Sequence, residues 1–362
     1  MPSKPLLIQT TSQVSLSAAG LFIPLAVRDM GGLGIQVGLV VAGYNLAFLF
    51  SNMMAGRAAD IYARRWIVRF GLLCSVLAFL FQYMVLAWNS GLFVFAVSRF
   101  IGGAAAGIFP NALLAFVYER TGKVGGFASR GSLGWGLGML VAGVLSSIQT
   151  VFLASTILLA AAFLIAMFLE PLGEKGLKIP FFPRDIIRRN KGVYGTLLIR
   201  HTGASMVWVT FPLFMEDLGA THFWIGIIYS INMATQVVWM SILDRFNTHN
   251  MIPVGLVFTA LSFLIFPMAR VWWHLLPMQI LLGTSWATLY IGCLRTVMDR
   301  NQEKATSAGL VASTISLSGL LGPLLGGSLV GLISYGGVMY MASIAALFAL
   351  VWHILNQAKT LC

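Results

Sequence analysis

The chain has 362 residues, of which 58% are hydrophobic and only 9% charged, and its mean hydropathy is +0.87. A soluble globular chain is closer to one-quarter charged, so the composition excludes a soluble domain and indicates an integral membrane protein. The net charge of +12 is not a nucleic-acid footprint, because the basic residues fall in short segments between apolar runs, where they act as topology determinants.

Apolar segments of about 20 residues recur from end to end, each long enough to cross a hydrocarbon core of about 30 Å. Continuous runs, rather than alternating stretches of about 10 residues, select helices over a barrel. Spans are predicted at 5–27, 33–58, 65–87, 91–118, 125–147, 150–169, 192–215, 222–243, 251–269, 273–298, 305–332 and 335–356. The N-terminal stretch is polar-flecked and longer than a cleaved signal peptide, so it reads as the first span. The longest hydrophilic stretch, "EPLGEKGLKIPFFPRDIIRRNKG" at 170–192, falls mid-chain. The expectation is an all-α membrane protein with twelve transmembrane helices. A six-helix bundle at 1–169 and another at 192–362 flank a cytoplasmic linker at 170–191.

Basic residues set the orientation. Arg57, Arg64, Arg65 and Arg69 surround the loop after span 2, and Arg120, Lys123 and Arg130 the loop after span 4. Lys175, Lys178, Arg184, Arg188, Arg189 and Lys191 lie in the middle loop, and Arg300 and Lys304 follow span 10. With Lys4 and Lys359 at the ends, all belong to one side; the other has little beyond Arg28 and Arg270. Both termini are expected to be cytoplasmic, in a multi-pass protein of the cell membrane.

The halves resemble each other. "FIPLAVRDMGG" matches "TFPLFMEDLGA", "AADIYARR" matches "ILDRFNTH", and "VYERTGK" matches "VMDRNQE". These pair Pro24 with Pro212, Asp60 with Asp244, and Glu119–Arg120 with Asp299–Arg300, at offsets of 188, 184 and 180 residues. A parallel repeat of two six-span halves is a transporter architecture, with the solute site between halves near mid-membrane.

The stretch Gly56-Arg-Ala-Ala-Asp60-Ile-Tyr-Ala-Arg64-Arg65 resembles the loop 2–3 signature of the major facilitator superfamily, with Ala63 where the family usually has glycine. Pro24 and Gly31 at the end of span 1, Arg99 with Gly103 and Gly107 in span 4, and Glu119–Arg120 at its cytoplasmic end support the resemblance, which covers the whole chain. It implies that Asp60 faces the start of span 11 near Thr306 and Ser307, and that Arg64 or Arg65 reaches Glu119. A carboxylate there meets unpaired helix N–H groups and the positive end of the dipole. Such contacts hold one side closed and bias the outward-facing state. The second copy keeps Asp244–Arg245, but Met240 replaces its glycine and the basic pair is missing, so its latch is expected to be weaker.

Span 5 carries Gly131, Gly134, Gly136, Gly138 and Gly143; span 11 carries Gly319, Gly322, Pro323, Gly326 and Gly327. Small residues let helices approach closely in lipid, and proline kinks them. Proton-driven exporters of this superfamily carry a glycine-rich signature ending G-P-x-x-G-G in span 5; here the proline version stands in span 11.

Ionisable groups inside a membrane are functional candidates. All eleven acids fall in loops or at span ends, which leaves Arg99, Arg200 and His201 at depth. Around them lie Gln13, Tyr44, Asn45, Trp208, Asn232, Gln236, Gln279 and Tyr290, with Gln279 the repeat mate of Arg99 and Gln13 that of His201. A guanidinium suits a carboxylate or phosphate, yet each of these groups also serves as ordinary helix-to-helix glue. Arg295 is expected to pair with Asp299 one turn on.

No phosphate-cradling loop, H-E-x-x-H or CxxC motif is present, and Cys74, Cys293 and Cys362 have no metal spacing. Neither do His201, His222, His249, His274 and His353 form a ligand set. No enzymatic activity, cofactor, metal or nucleic-acid partner is expected. The leading expectation is a monomeric secondary transporter in the lipid bilayer that moves a small anionic or amphipathic organic solute by alternating access, with or without a coupling proton or ion. Its alternatives are a proton-coupled exporter of hydrophobic drug-like compounds, and a non-transporting sensor or lipid scramblase on the same scaffold.

Overall fold

The structure, a computed structural model, describes all residues except 1–2, 22, 33, 146, 172–178, 181, 209, 248–249 and 362. Lys175, Lys178, His249 and Cys362 therefore lie outside the described residues, as do the side chains of Pro24, Arg28, Pro212, His222 and Lys359.

The described residues form fifteen α-helical segments and no strand. The first eight are α1 (Ser3–Leu21), α2 (Ile23–Asp29), α3 (Gly34–Ile61), α4 (Arg64–Ala87), α5 (Leu92–Ala106), α6 (Phe109–Thr121), α7 (Gly125–Leu145) and α8 (Ile148–Ala166). The rest are α9 (Arg184–Arg189), α10 (Lys191–Trp208), α11 (Phe211–Asp217), α12 (His222–Ile242), α13 (Met251–Ile265), α14 (Leu275–Arg300) and α15 (Lys304–Leu361). Eight segments among the described residues are long and apolar enough to cross a membrane: Gly38–Ile61, Arg64–Ala87, Leu92–Thr121, Ile148–Ala166, Trp224–Arg245, Met251–Met268, Trp272–Arg300 and Lys304–Gln357. The chain is thus a multi-pass helical membrane protein.

Helix α1 is not among the eight, for a physical reason. Its polar residues Gln9, Ser12, Ser15 and Ser17 are buried against protein and lower its hydropathy without meeting lipid.

Several expected spans are interrupted. The fourth divides into α5 and α6 at Gly107–Ile108 because Pro110, in the first turn of α6, lacks the N–H needed to continue the ladder. The ninth passes into a 3₁₀ turn at Phe266–Met268, around Pro267. The last two spans join in α15, broken at Ser334, whose φ of 65° and ψ of 172° leave helical space.

The repeat reaches the backbone. Helices α2 and α11 are each seven residues long, 188 positions apart. Each is followed by a left-handed glycine at the same offset, Gly31 at φ +79° and Gly219 at φ +83°. A side chain at either position would be strained.

The chain divides into two compact units. The first comprises residues 1–183 with 301–313, and the second 184–300 with 314–362. Inside the first, close contacts run through small residues. A Cβ on Gly134 would lie 2.7 Å from the Thr10 carbonyl oxygen, so α7 and α1 meet backbone to backbone. Ser15 and Ser155 each donate to the other's carbonyl, at 2.8 and 3.1 Å, and tie α1 to α8. Gly103 gives the Tyr44 carbonyl room, and Ser51 donates to Ala104 at 2.5 Å, joining α3 to α5.

The second unit follows the same logic. Gly255 lets α13 approach the Leu289 amide of α14, and Gly283 lets α14 approach Asn232 of α12. Gly322 and Gly326 of α15 lie against the Thr202 and Met206 carbonyls of α10. An aromatic core of Phe211, Phe263 and Phe266 fills the interior.

Replacing Gly103 with valine forces its side chain into the Tyr44 backbone. The expected loss is about 1–3 kcal/mol, as for overpacked cores, read as a lowered thermal midpoint in detergent. Gly43→Ala, whose new carbon would meet only Phe100 at an ordinary 3.9 Å, should not lower that midpoint, since alanine is the better helix former.

Candidate functional site

The best-defined polar constellation lies where α3 ends and α15 begins, inside the first unit. Asp60 is the penultimate residue of α3, and its side chain is fully buried. The first residues of any helix have backbone N–H groups without an intrahelical partner. At the start of α15, Ala305 N–H donates to Asp60 Oδ1 at 3.1 Å and Thr306 N–H to Oδ2 at 2.7 Å. The Thr306 hydroxyl adds a third donor at 2.8 Å. Negative charge there also meets the positive end of the helix dipole.

Arg64, one turn past Asp60 and the first residue of α4, balances the buried charge. Its Nη2 donates to Asp60 Oδ1 at 2.8 Å, and its Nη1 reaches Glu119 at the end of α6. A single guanidinium thus joins α3, α4 and α6. Arg65 is not part of this set; it lies over the Trp66 ring at 5.6 Å. Arg120 pairs with Glu170 at 3.2 Å and covers Phe116.

Two glycines permit the contact. A Cβ on Gly56 would stand 2.6 Å from the Ala305 carbonyl oxygen, and one on Gly309 2.5 Å from that of Asn52. Ser313 donates to the Leu49 carbonyl at 2.9 Å, and Asn111 to Asn52 at 2.6 Å. Gly309, Ser313, Asn52 and Asn111 went unidentified in the sequence. Asn52 and Asn111 were the available signal, being amides inside apolar runs.

The repeat-related residues sit differently. Asp244 and Arg245 occupy a 3₁₀ turn after α12, with Asp244 half-buried and Arg245 exposed. Asp299 and Arg300 end α14, both exposed. Arg295 donates to the Phe246 carbonyl at 3.0 Å.

Of the membrane-depth candidates, Arg99 in α5 is buried and donates to Gln82 at 3.0 Å. Tyr44 lies 4.3 Å from its guanidinium carbon and Phe152 6.0 Å. Asn45 donates to Val41 within its own helix at 3.1 Å, and Gln13 accepts from Trp135 at 2.9 Å. These groups are therefore engaged by protein inside the first unit.

In the second unit, Arg200 is 2% exposed. Its Nε donates to Thr259 at 3.0 Å and its Nη2 approaches Ser285 at 3.4 Å, while those hydroxyls are 2.6 Å apart. Its guanidinium lies 5.1 Å from the Trp286 ring. His201 packs on Trp286 at 4.9 Å, and Trp286 stacks on Tyr290 at 5.2 Å. A buried guanidinium is thus framed by hydroxyls and π faces, both of which favour a cation. A separate amide chain runs from Gln236 to Asn232 at 2.7 Å and from Asn232 to Gln279 at 2.9 Å. The Gln279 Nε2 at its end is buried with no acceptor among the described residues. Trp208 belongs to the aromatic core, edge-on to Phe211 at 5.9 Å. Thr259, Ser285, Trp286 and Gln82 were not anticipated; only the i, i+4 spacing of Trp286 and Tyr290 marked a shared helix face.

This helical architecture, with its repeated halves and loop carboxylate, has a family. The chain belongs to the Major Facilitator Superfamily, whose family model matches residues 6–199 and 193–360. It is a transporter of that class, and transport by alternating access is typical of the fold. Among curated relatives it is 26% identical to "Multidrug resistance protein 1" of Bacillus subtilis (strain 168), covering 89% of this chain and 88% of that one. It is likewise 26% identical to "Multi-drug resistance efflux pump PmrA homolog" of Lactococcus lactis, over 94% and 90%. Among solved structures it is similar to a bacterial homologue of the iron transporter ferroportin in the outward-facing state, with a TM-score of 0.78, 13% identity and coverage of 98% and 99%. It is also similar to the human organic anion transporter MFSD10, with a TM-score of 0.75, 15% identity and coverage of 98% and 100%. At these identities the solved structures establish the fold.

Asp60→Ala removes the acceptor of two backbone amides and a hydroxyl and leaves Arg64 only Glu119. Breaking a buried pair this way costs about 3–5 kcal/mol, with the lower end expected because Glu119 remains. Equilibrium unfolding in mild detergent reads this loss, and Glu119→Gln, at 26% side-chain exposure, should lose less.

Proposed function

We propose that the protein is an exporter of amphipathic organic compounds that prefers anionic and neutral solutes to cations. The observation that carries the preference is Arg200, a buried guanidinium framed by Thr259, Ser285 and Trp286. Its neighbours there are neutral, so its positive charge remains to attract an anion and repel a cation. The stacked Trp286 and Tyr290 rings offer flat apolar area to a hydrophobic body. Export as the direction rests on the multidrug relatives.

The wider reading has twelve spans with both termini cytoplasmic in the cell membrane, supported by the one-sided distribution of arginine and lysine. It divides the chain into six-helix bundles at 1–169 and 192–362, with a linker at 170–191. Asp60, Gly56, Arg64 and Glu119 act as a cytoplasmic latch that favours the outward-facing state. In this scheme Arg65 and Arg120 flank the latch, and Asp244–Arg245 and Asp299–Arg300 are its weaker counterparts.

Flux of matched anionic and cationic dyes from proteoliposomes tests the preference. Arg200→Ala should lower anionic flux at least about tenfold, the loss expected for a hydrogen bond to a charged group, with Arg200→Lys retaining part of it. Cationic dyes carried faster than anionic ones, with no response to Arg200→Ala, would overturn it. The latch has its own readout. Asp60→Asn should raise labelling of cysteines placed on the cytoplasmic side and lower it on the other; unchanged labelling would remove the latch from the mechanism.

A further inference from the structure

Three cations of the first unit gather at one edge of the α4–α8 pair. The carbonyls ending α8 accept from Arg69, whose Nε reaches Ala166 at 3.0 Å and whose Nη2 reaches Met167 at 2.8 Å. Lys4 donates to the neighbouring Phe168 carbonyl at 3.4 Å. Arg69 also lies over the Trp66 ring at 4.9 Å, with Arg65 over the same ring at 5.6 Å. Residues 166–169 and Trp66 therefore draw Lys4, Arg65 and Arg69 together.

This charge has no carboxylate partner among the described residues. The ion pairs there involve Arg64 and Arg120 instead, and Glu170, the nearest acid in sequence, is held by Arg120. Arg65 Nε is buried with no acceptor among the described residues. Helix α4 starts beside it with no side-chain cap and no acid in its first turn, so its first amides add to the positive field.

Below the cations the surface is apolar and outward-facing. Trp66, Phe70, Leu73 and Leu77 recur along α4 at helical spacing, all exposed, as are Ile157 and Leu164 of α8 and Phe168 in the turn that follows it. Exposed leucine and phenylalanine on a membrane helix meet acyl chains, and a tryptophan at their end sits at headgroup level. The combination matches an amphiphile with a negative head and two hydrocarbon tails.

We propose that this face binds an anionic phospholipid. Its phosphate is held among Lys4, Arg65 and Arg69 around Trp66, and its acyl chains lie along Phe70, Leu73 and Leu77. The Arg64 latch begins one residue before Arg65, so an occupied site steadies the turn between α3 and α4.

The test uses the full chain in nanodiscs of phosphatidylethanolamine alone or with phosphatidylglycerol, reading thermal midpoint and lipids retained in native mass spectrometry. Phosphatidylglycerol should raise the midpoint and remain bound. Arg65→Gln with Trp66→Ala should weaken retention about fivefold per cation removed, whereas Arg65→Lys should keep most of it. Lys191→Gln removes an equal charge outside the cluster and should change nothing. Equal retention of both lipids, equal losses in the Lys191 variant, or equal stabilisation by inorganic phosphate would each overturn the proposal.

Discussion

A buried carboxylate at a helix N-terminus organises this protein. Asp60 satisfies two backbone amides and a hydroxyl of α15 while sharing Arg64 with Glu119. The arrangement works only if two helices approach within backbone contact, which accounts for Gly56 and Gly309. It also accounts for the chain division: residues 301–313 group with the first unit, although the rest of α15 belongs to the second.

Several of the remaining polar groups follow one rule. In lipid an unpaired polar group costs several kcal/mol, so these side chains are paired with another helix. Ser15 with Ser155, Gln13 with Trp135, Arg99 with Gln82, and Arg200 with Thr259 are instances. What distinguishes Arg200 is its company. Hydroxyls and aromatic rings solvate its charge without neutralising it, and the field of a cation in a low-dielectric interior extends over several ångströms. That is the physical basis for expecting solute charge to matter.

Much of the fold was legible in the sequence because lipid imposes a simple code: long apolar runs, polar punctuation and basic loops. The repeat was legible too, and the matching left-handed glycines at 31 and 219 give it a backbone counterpart. Helix breaks were less so. Pro110 and Pro267 interrupt runs that hydropathy reads as continuous, whereas the break at Ser334 falls in the gap expected between the spans at 305–332 and 335–356. Asp60, Arg64 and Glu119 could be named from local spacing and the family resemblance. Gly309 and Ser313, which pack the start of α15 onto α3, and Thr259 and Ser285 around Arg200, are small residues of ordinary type. Only the three-dimensional approach of distant helices gives them meaning, and one sequence does not encode that approach in any short pattern.

The most direct measurement is hydrogen–deuterium exchange of the 301–313 segment, compared between the native chain and Asp60→Ala. Amides at a helix start ordinarily exchange freely; here Ala305 and Thr306 have an acceptor. The account predicts slow exchange of this segment in the native protein and a large acceleration in the variant, with α14 unchanged. Equal exchange in the two proteins would mean that Asp60 does not hold the start of α15, and the latch would lose its basis.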